Sequence, residues 1–461
     1  MKVMNARDVK TVADARQLVE QRGLQHIKVG LFDVDGILRG KYMSKEKFFS
    51  ALEGGFAFCD VVLGWDSNDQ LYQTPDVKIT GWHTGYPDAP VRIVPESCRE
   101  LPMENDGLLF LCDFEGEAAN ICPRSTLEKV VKKAENMGYD ALAGFEYEFF
   151  LFDETPDTVR EKGFRNLKPI SPGFFGYSVL RNSVHSEIYQ ELLSLAQEMD
   201  FPIESLHTET GPGVLEAAIT VDSARAAADK AALFKTFVKV WAQRRKMMAT
   251  FMAKWSNDYP GQSGHIHLSL RRRDGSGSAF YDPSQPMNMS ATQRHFIAGQ
   301  QRLMPELLAM YAQTVNSYSR MVPGFWAPTD ATWGCENRTT ALRVIPGSDK
   351  SQRTEFRLGS ADANPYIALA AALGSGLYGI EHKMEPTEMV RGNAYEQKHP
   401  VELALGRDIY TAAAALSASA AARELFGDAF VEHYAATREW EGKEFSRHVT
   451  DWEMARYFEI I

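Results

Sequence analysis

Gly144-Phe145-Glu146-Tyr147-Glu148-Phe149-Phe150-Leu151-Phe152 sets two glutamates in an otherwise apolar and aromatic run. Length and composition predict a strand. Side chains at i and i+2 of a strand share a face, so Glu146 and Glu148 stand together, roughly 6–7 Å apart along the chain. That spacing suits two neighbouring cations better than one chelated ion. An isolated Glu-x-Glu in a strand is usually a solvated face. Here Phe150 and Phe152 continue the face, which argues for burial. Buried charge is costly unless a counter-charge or metal answers it.

Two further runs repeat the pattern: Gly264-His265-Ile266-His267-Leu268-Ser269-Leu270 and Thr354-Glu355-Phe356-Arg357-Leu358. His-x-His alone is a weak metal signal, matched in frequency by satisfied buried histidines. Taken together, the three pairs suggest a divalent-metal site that also handles anions. Carboxylate-rich ligation with one imidazole suits Mg²⁺ or Mn²⁺ better than structural zinc. Glu209 and Glu216 flank Thr210-Gly211-Pro212-Gly213, a tight-turn sequence that can fold both carboxylates towards one place. A hairpin with two surface acids is the plainer alternative. Arg320, Arg338, Arg343, Arg353 and Arg357 imply bound phosphate or carboxylate, unless they serve as salt bridges. No Walker A loop and no GxGxxG opening a helix is present.

The 461 residues suggest two or more domains, and the net charge of −11 argues against nucleic acid as a partner. Cys59, Cys98, Cys112, Cys122 and Cys335 are odd in number and lack CxxC spacing, which fits reduced thiols. Asp8, Asp14 and Glu20 interrupt any signal-like apolar core, and no apolar stretch reaches the roughly 20 residues a membrane span needs. A soluble cytoplasmic protein with no membrane partner is the expectation.

Residues 9–22 predict an amphipathic helix with a Val12, Ala15, Leu18 and Val19 stripe. Lys28 to Gly36 reads as a strand entering a turn, and 60–113 as short strand-like pieces. A helix is expected from Pro123, capped by Ser125 or Thr126. A second is expected from near Asp222 to about Lys254. Residues 271–279 suggest a hairpin or exposed loop, and an Ala-rich helical tail follows from about 402.

In this order the motifs resemble the glutamine synthetase family over nearly the whole chain. Asn316 to Arg320, Asn337-Arg338, Ala363-Asn364-Pro365-Tyr366 and Val449-Thr450-Asp451-Trp452-Glu453 add to the likeness. The resemblance implies an α+β fold. An N-terminal β-grasp-like domain would span 1–113, and a catalytic domain with a curved antiparallel sheet and surrounding helices would span 114–461. Active sites would lie between the N-terminal domain of one subunit and the catalytic domain of the next, in a dodecamer of two hexameric rings. Glu148, Glu209 and Glu216 would hold one Mg²⁺ or Mn²⁺, and Glu146, His265 and Glu355 the other. Arg320 would bind the α-carboxylate of L-glutamate, with Gly261 nearby. Arg338, Arg343 and Arg357 would meet the γ-phosphate of ATP and the reacting carboxylate. His267, Ser269 and Arg353 would lie towards the nucleotide. The implied enzyme is an ATP-dependent carboxylate–amine ligase working through γ-glutamyl phosphate.

One loop departs from that pattern. Ammonia-using members carry Pro-Gly-(aromatic)-Glu-Ala-Pro after the substrate arginine. This chain carries Pro323-Gly324-Phe325-Trp326-Ala327-Pro328. An indole cannot take a proton, and it offers a large apolar surface. Asp33, which matches the other acid of the ammonium pocket, is retained. The pattern resembles the branch that γ-glutamylates mono- and polyamines, with Asp33 or Glu209 orienting and deprotonating the amine. Pro260, where many relatives have asparagine, is a second departure. The alternatives are a true glutamine synthetase using ammonium, a dinuclear metal hydrolase, which would not need so many arginines, and a non-catalytic relative. All six expected ligand positions are occupied, which disfavours the last.

Overall fold

Two sheets organise residues 4–461, which are described in a computed structural model. The first is built from β1 (His26–Phe32), β2 (Leu38–Ser44), β3 (Phe56–Cys59), β4 (Asp88–Ile93), β5 (Arg99–Leu101) and β6 (Gly107–Phe114). Its order is β2-β1-β6-β4-β3, with β5 on β6. β1 and β2 form an antiparallel hairpin, while β1 runs parallel to β6. Helices Val12–Gln21 and Lys45–Gly54 contribute Leu18, Val19, Phe48 and Leu52 to its core. Val12 is 36% exposed, so the apolar stripe expected from that residue begins with Ala15 instead. As the first helical residue, Val12 lies beyond the edge of the packed face.

The second sheet has nine strands: β7 (Tyr139–Phe152), β8 (Ile203–Thr208), β9 (Val214–Ile219), β10 (Asp222–Ser223), β11 (Met248–Thr250), β12 (Gly264–Arg272), β13 (Trp333–Cys335), β14 (Leu342–Ile345) and β15 (Arg353–Phe356). The order is β13-β14-β15-β12-β7-β9-β8, and β10 and β11 also pair with β7. It is antiparallel except at β13–β14, which is parallel, so the expectation of a wholly antiparallel sheet is corrected there. The 14-residue β7 is its spine. One face of β7 sends Phe145, Tyr147, Phe149 and Leu151 into the main core, where Phe149 stacks on Phe251 and meets Phe234 edge-on. The other face carries Glu146 and Glu148, then Phe150 and Phe152, which pack with Val214 and Trp255.

Two helix boundaries differ from expectation. The helix Pro123–Asn136 is capped by Cys122 without a side-chain hydrogen bond, not by Ser125 or Thr126. Pro123 opens it because proline's fixed φ suits the first helical position and its missing N–H is no loss there. Helix Ala224–Arg244 stops well short of Lys254. Lys246 takes a left-handed φ of 59°, and the apolar Met248–Thr250 segment becomes β11 against Phe150–Phe152. Pairing with β7 overrides the helical propensity of this stretch.

The sheets are joined at the β1–β2 turn. Asn364, N-cap of the buried helix Pro365–Glu381, donates from Nδ2 to the carbonyls of Asp33 (3.1 Å) and Val34 (3.2 Å). Arg438, 2% exposed, donates to Asp35 Oδ1 (2.6 Å) and to the Gln313 carbonyl (2.7 Å). All five cysteines are free thiols. Among the described residues no helix is long and apolar enough to cross a membrane.

Candidate active site

Strand register assembles the charged floor of a cleft of about 560 Å³. Glu148 of β7 lies opposite Glu216 of β9, and Glu216 lies opposite His207 of β8. On the other side of β7, Glu146 faces His265 of β12, while His267 faces Glu355 of β15 and Glu355 faces Arg343 of β14. The turn at Thr210 to Gly213 returns the chain so that Glu209 and Glu216 both stand beside His207, 3.6 and 3.8 Å from its ring nitrogens. His207, Glu209 and Glu216 form one potential ligand cluster, and Glu146, His267 and Glu355 another. Glu148 instead accepts a hydrogen bond from the Ser263 N–H at 2.6 Å.

The two clusters differ electrostatically. Burial and the neighbouring Glu148, Glu146, Glu209 and Glu355 push the Glu216 carboxyl up to about 9. Burial and Glu148 also raise Glu209. A cation bound beside Glu216 would displace the proton that this crowding favours. Glu355 is different: burial raises it, yet Arg357, His265 and His267 outweigh that and hold it at about 2. Against its own burial, His267 and His265 keep Glu146 well below the usual carboxylate range.

Two imidazoles, His265 and His267, stand beside this cluster. Arg353 Nε, an obligate donor, points at His267 Nδ1 at 3.1 Å. His267 Nε2 stands 3.0 Å from Glu146, and, like His265 Nε2, it makes no hydrogen bond. His265 Nδ1 lies 3.4 Å from Glu355 and 3.7 Å from Glu146, and its Nε2 is buried without a partner. Glu146, His265 and Glu355 on one side, and Glu148, Glu209 and Glu216 on the other, fit hard divalent cations.

Arginines close the floor. Glu355 bridges Arg357 (2.5 Å) and Arg343 (2.9 Å). Arg338 lines the cleft, is exposed, and has no ion-pair partner among the described residues. Arg320 is buried and donates to the carbonyls of Leu358 (2.9 Å) and Arg357 (3.2 Å). Gly261 is required beneath it, because a Cβ there would meet Arg320 Cγ at 2.6 Å and the Ala253 carbonyl at 2.7 Å.

The rim is apolar. Phe325 and Trp326 line it with Pro260 and Tyr177. Tyr177 stacks on His207, with ring centroids 4.3 Å apart. Lys254 Nζ sits 4.8 Å from the centre of the Phe325 ring and donates to the Tyr259 carbonyl at 2.7 Å. Trp326 is 55% exposed and holds φ at 61°, a strained value for a bulky residue.

Of the residues expected at the site, Glu146, Glu148, Glu209, Glu216, His265, Glu355, Gly261, Arg320, Trp326, Arg338, Arg343 and Arg357 line this one cleft. His267, Arg353 and the half-buried Ser269 lie beside it along β12 and β15. Asp33 is not brought there. It is 1% exposed and accepts from the N–H groups of Asp35 (3.0 Å) and Ile37 (2.8 Å) and from Arg39 Nε (2.8 Å). Burial and Asp35 push its carboxyl up to about 7. His207, Tyr177 and Lys254 were not anticipated. His207 shares the i, i+2 pattern with Glu209, which was the available signal. A separate cavity of about 590 Å³ contains Arg22, Arg99, Glu100 and Asp200. Its charges answer one another, with Arg22–Glu100 at 2.5 Å and Arg99–Asp200 at 3.7 Å.

Fold and cleft together define an ATP-dependent carboxylate–amine ligase. The family description "Glutamine synthetase, catalytic domain" matches residues 120–457. Type-1 glutamine synthetase 2 of Dictyostelium discoideum is 46% identical over 441 residues, covering 94% of this chain and 84% of that protein. Glutamate–isopropylamine ligase of a Pseudomonas species is 35% identical, covering 99% of this chain and 100% of its own length. The solved structure of apo GmaS without ligand aligns with a TM-score of 0.83 at 25% identity, over 96% of this chain and 99% of that one. The chain belongs to the glutamine synthetase family, whose members depend on ATP and divalent metal.

Proposed function

We propose that this enzyme joins the γ-carboxylate of L-glutamate to an organic amine, with ATP cleaved to ADP and phosphate. The observation that carries the amine is Trp326. It stands at the cleft rim beside Phe325 and Pro260, where an ammonia-using relative would place an acid.

The residues divide the work. Arg320, held against Gly261, keeps guanidinium donors for the α-carboxylate of glutamate. Arg338, Arg343 and Arg357 draw charge off the γ-phosphate and the reacting carboxylate as γ-glutamyl phosphate forms. His267, Ser269 and Arg353 extend the site towards the nucleotide. Glu148, Glu209 and Glu216, and Glu146, His265 and Glu355, would hold Mg²⁺ or Mn²⁺. The ions supply positive charge that polarises phosphoryl and carboxyl oxygens. An alkylammonium with a pKa near 10 must lose a proton before attack. Glu209, whose carboxyl is raised by burial and Glu148, is the acceptor in this reading. Asp33 would meet an amine only at a neighbouring subunit's cleft, in a dodecamer of the kind described above. The division at 113/114 and cytoplasmic residence belong to the same reading.

A second reading, glutamine synthesis from ammonium, is favoured by the 46% identity to a protein of that name. Phosphate release from ATP, Mg²⁺ and glutamate decides between them, measured with ammonium and with a panel of organic amines, and with product masses recorded. An organic amine outrunning ammonium and yielding the matching γ-glutamylamide supports the proposal. Ammonium outrunning every amine replaces it with glutamine synthesis. No glutamate-dependent release with any amine would point to another carboxylate substrate or a non-catalytic role.

A further inference from the structure

Asn316 stands one turn before Arg320 in the helix Val315–Arg320, on the same face. Unlike Arg320, it does not line the cleft. Its side-chain amide is spent on one residue. Oδ1 accepts from the Lys254 N–H at 2.7 Å, and Nδ2 donates to the Lys254 carbonyl at 2.8 Å. A single side chain thus answers both backbone groups of Lys254, as a neighbouring strand would. Lys254 is buried and Asn316 half-buried.

Lys254 stands near the start of a loop that ends at the cleft wall. Its Nζ donates to the Tyr259 carbonyl at 2.7 Å. The Gln262 N–H donates to the Ala253 carbonyl at 2.7 Å, and Gln262 Nε2 donates to the Met252 carbonyl. Residues 252–262 therefore close on themselves, with Lys254 bracing the middle. Pro260 and Gly261 are the part of this loop that faces the cleft. Loop and helix meet at two places: Lys254 with Asn316, and Gly261 with Arg320, where no Cβ fits. The start of the helix is fixed separately, since Thr314 and Ser317 both donate to Asp362 Oδ2, at 2.7 and 2.8 Å.

We propose that Asn316 is a positioning residue for glutamate. By tying Lys254 to the helix that ends in Arg320, it sets the gap between the Arg320 guanidinium and the Pro260-Gly261 wall. The inference rests on the reading above, in which Arg320 and Gly261 receive the amino acid, and deepens it. Without the amide, the Lys254 N–H and carbonyl lose their partner and the loop is free to move off the helix. Gly261 then no longer holds its place against Arg320. Groups that bind glutamate are displaced, while the phosphoryl-handling residues of β7, β12 and β15 keep their pairing. A loss of this kind appears in KM rather than in kcat.

The test measures phosphate release by the full-length enzyme at varied glutamate, with saturating ATP and Mg²⁺. The amine is ammonium or n-propylamine, whichever the wild type turns over faster. In Asn316→Ala the KM for glutamate is expected to rise about ten- to a hundredfold, while kcat and the KM for ATP stay near wild type. An unchanged glutamate KM, or equal rises in both KM values, overturns the inference. Arg320→Lys separates it from the reading beneath. That variant keeps the charge, loses the planar fork, and should also raise the glutamate KM. A normal glutamate KM in Arg320→Lys overturns that reading and the inference with it. Folding is followed by circular dichroism. If Asn316→Ala does not fold, Asn316→Asp, which keeps the acceptor for the Lys254 N–H and loses the donor, decides by the same split. Failure of both to fold overturns the inference, because the amide then serves folding alone.

Discussion

On the floor of the cleft, each charged side chain has a neighbour set by strand register: Glu148 opposite Glu216, Glu146 opposite His265, His267 opposite Glu355. On the rim, Phe325 and Trp326 stand on an exposed loop between Val322 and Pro328 that pairs with no strand. The contrast separates what can vary from what cannot. A one-residue slip in β7 would turn both glutamates into the core and bring Tyr147, with Phe145 or Phe149, into the cleft, so the floor is fixed as a unit. The loop can change one residue at a time without disturbing any pairing. In the proposed reaction, phosphoryl chemistry is assigned to the sheet and choice of amine to the loop.

The comparison breaks most easily at Glu355. In Glu355→Gln the buried Arg357 loses its counter-charge and the half-buried Arg343 keeps only Glu336. We expect a loss of about 3–5 kcal/mol in denaturant unfolding and a fall in kcat of about a hundredfold or more. A Glu355→Gln enzyme with near-normal kcat would remove the floor from the chemistry. Trp326→Ala should act only on choice of amine. Its kcat/KM for the best organic amine should drop about 10- to 100-fold, while ammonium changes less and Tm hardly moves. Equal losses for all amines would show that the loop serves catalysis in general.

A third expectation concerns pH. In the metal-free protein Glu216 titrates at about 9 against 4.5 in the unfolded chain. Between these values the folded state binds a proton the unfolded state does not, so this group makes stability fall as pH rises. Mg²⁺ displaces the proton, so the Mg²⁺-induced rise in Tm should grow from pH 6 to 9. Titration calorimetry in two buffers of different ionisation enthalpy should register the released proton. A pH-independent Mg²⁺ effect would separate Glu216 from the metal. The smallest effect sharpens the view of the rim. Trp326→Gly should be more stable than Trp326→Ala by about 1 kcal/mol, because glycine adopts φ of 61° freely.

Much of the site was legible because strand period is a local property. Glu146 with Glu148 and His265 with His267 share faces whatever the rest of the chain does, and Gly211-Pro212-Gly213 had to turn. What escaped depends on partners far along the chain. The i, i+2 spacing puts His207 on the face of Glu209, but that it lies opposite Glu216 is settled by the hairpin and by the shifted pairing between Ile203 and Ser205. Lys254 reads as the end of a basic helix until β11 pairs with β7 and releases the following segment towards Phe325. Asp33 reads as a site residue by motif, and within its own chain it accepts from the Asp35 and Ile37 N–H groups and from Arg39 of β2.

The tie between Asp35 and Arg438 joins residues 403 positions apart, and Trp440 reaches back to Asp66 over 374. At translation rates of about 5–20 residues per second, Arg438 leaves the ribosome on the order of tens of seconds after Asp35. During that interval the β1–β2 turn carries an acid destined for burial with its counter-charge not yet made. The first sheet can pair early from its own strands, but it cannot dock until synthesis is nearly complete. A chain ending before Arg438 would therefore leave an open seam between the two sheets, a ready target for chaperones or proteases.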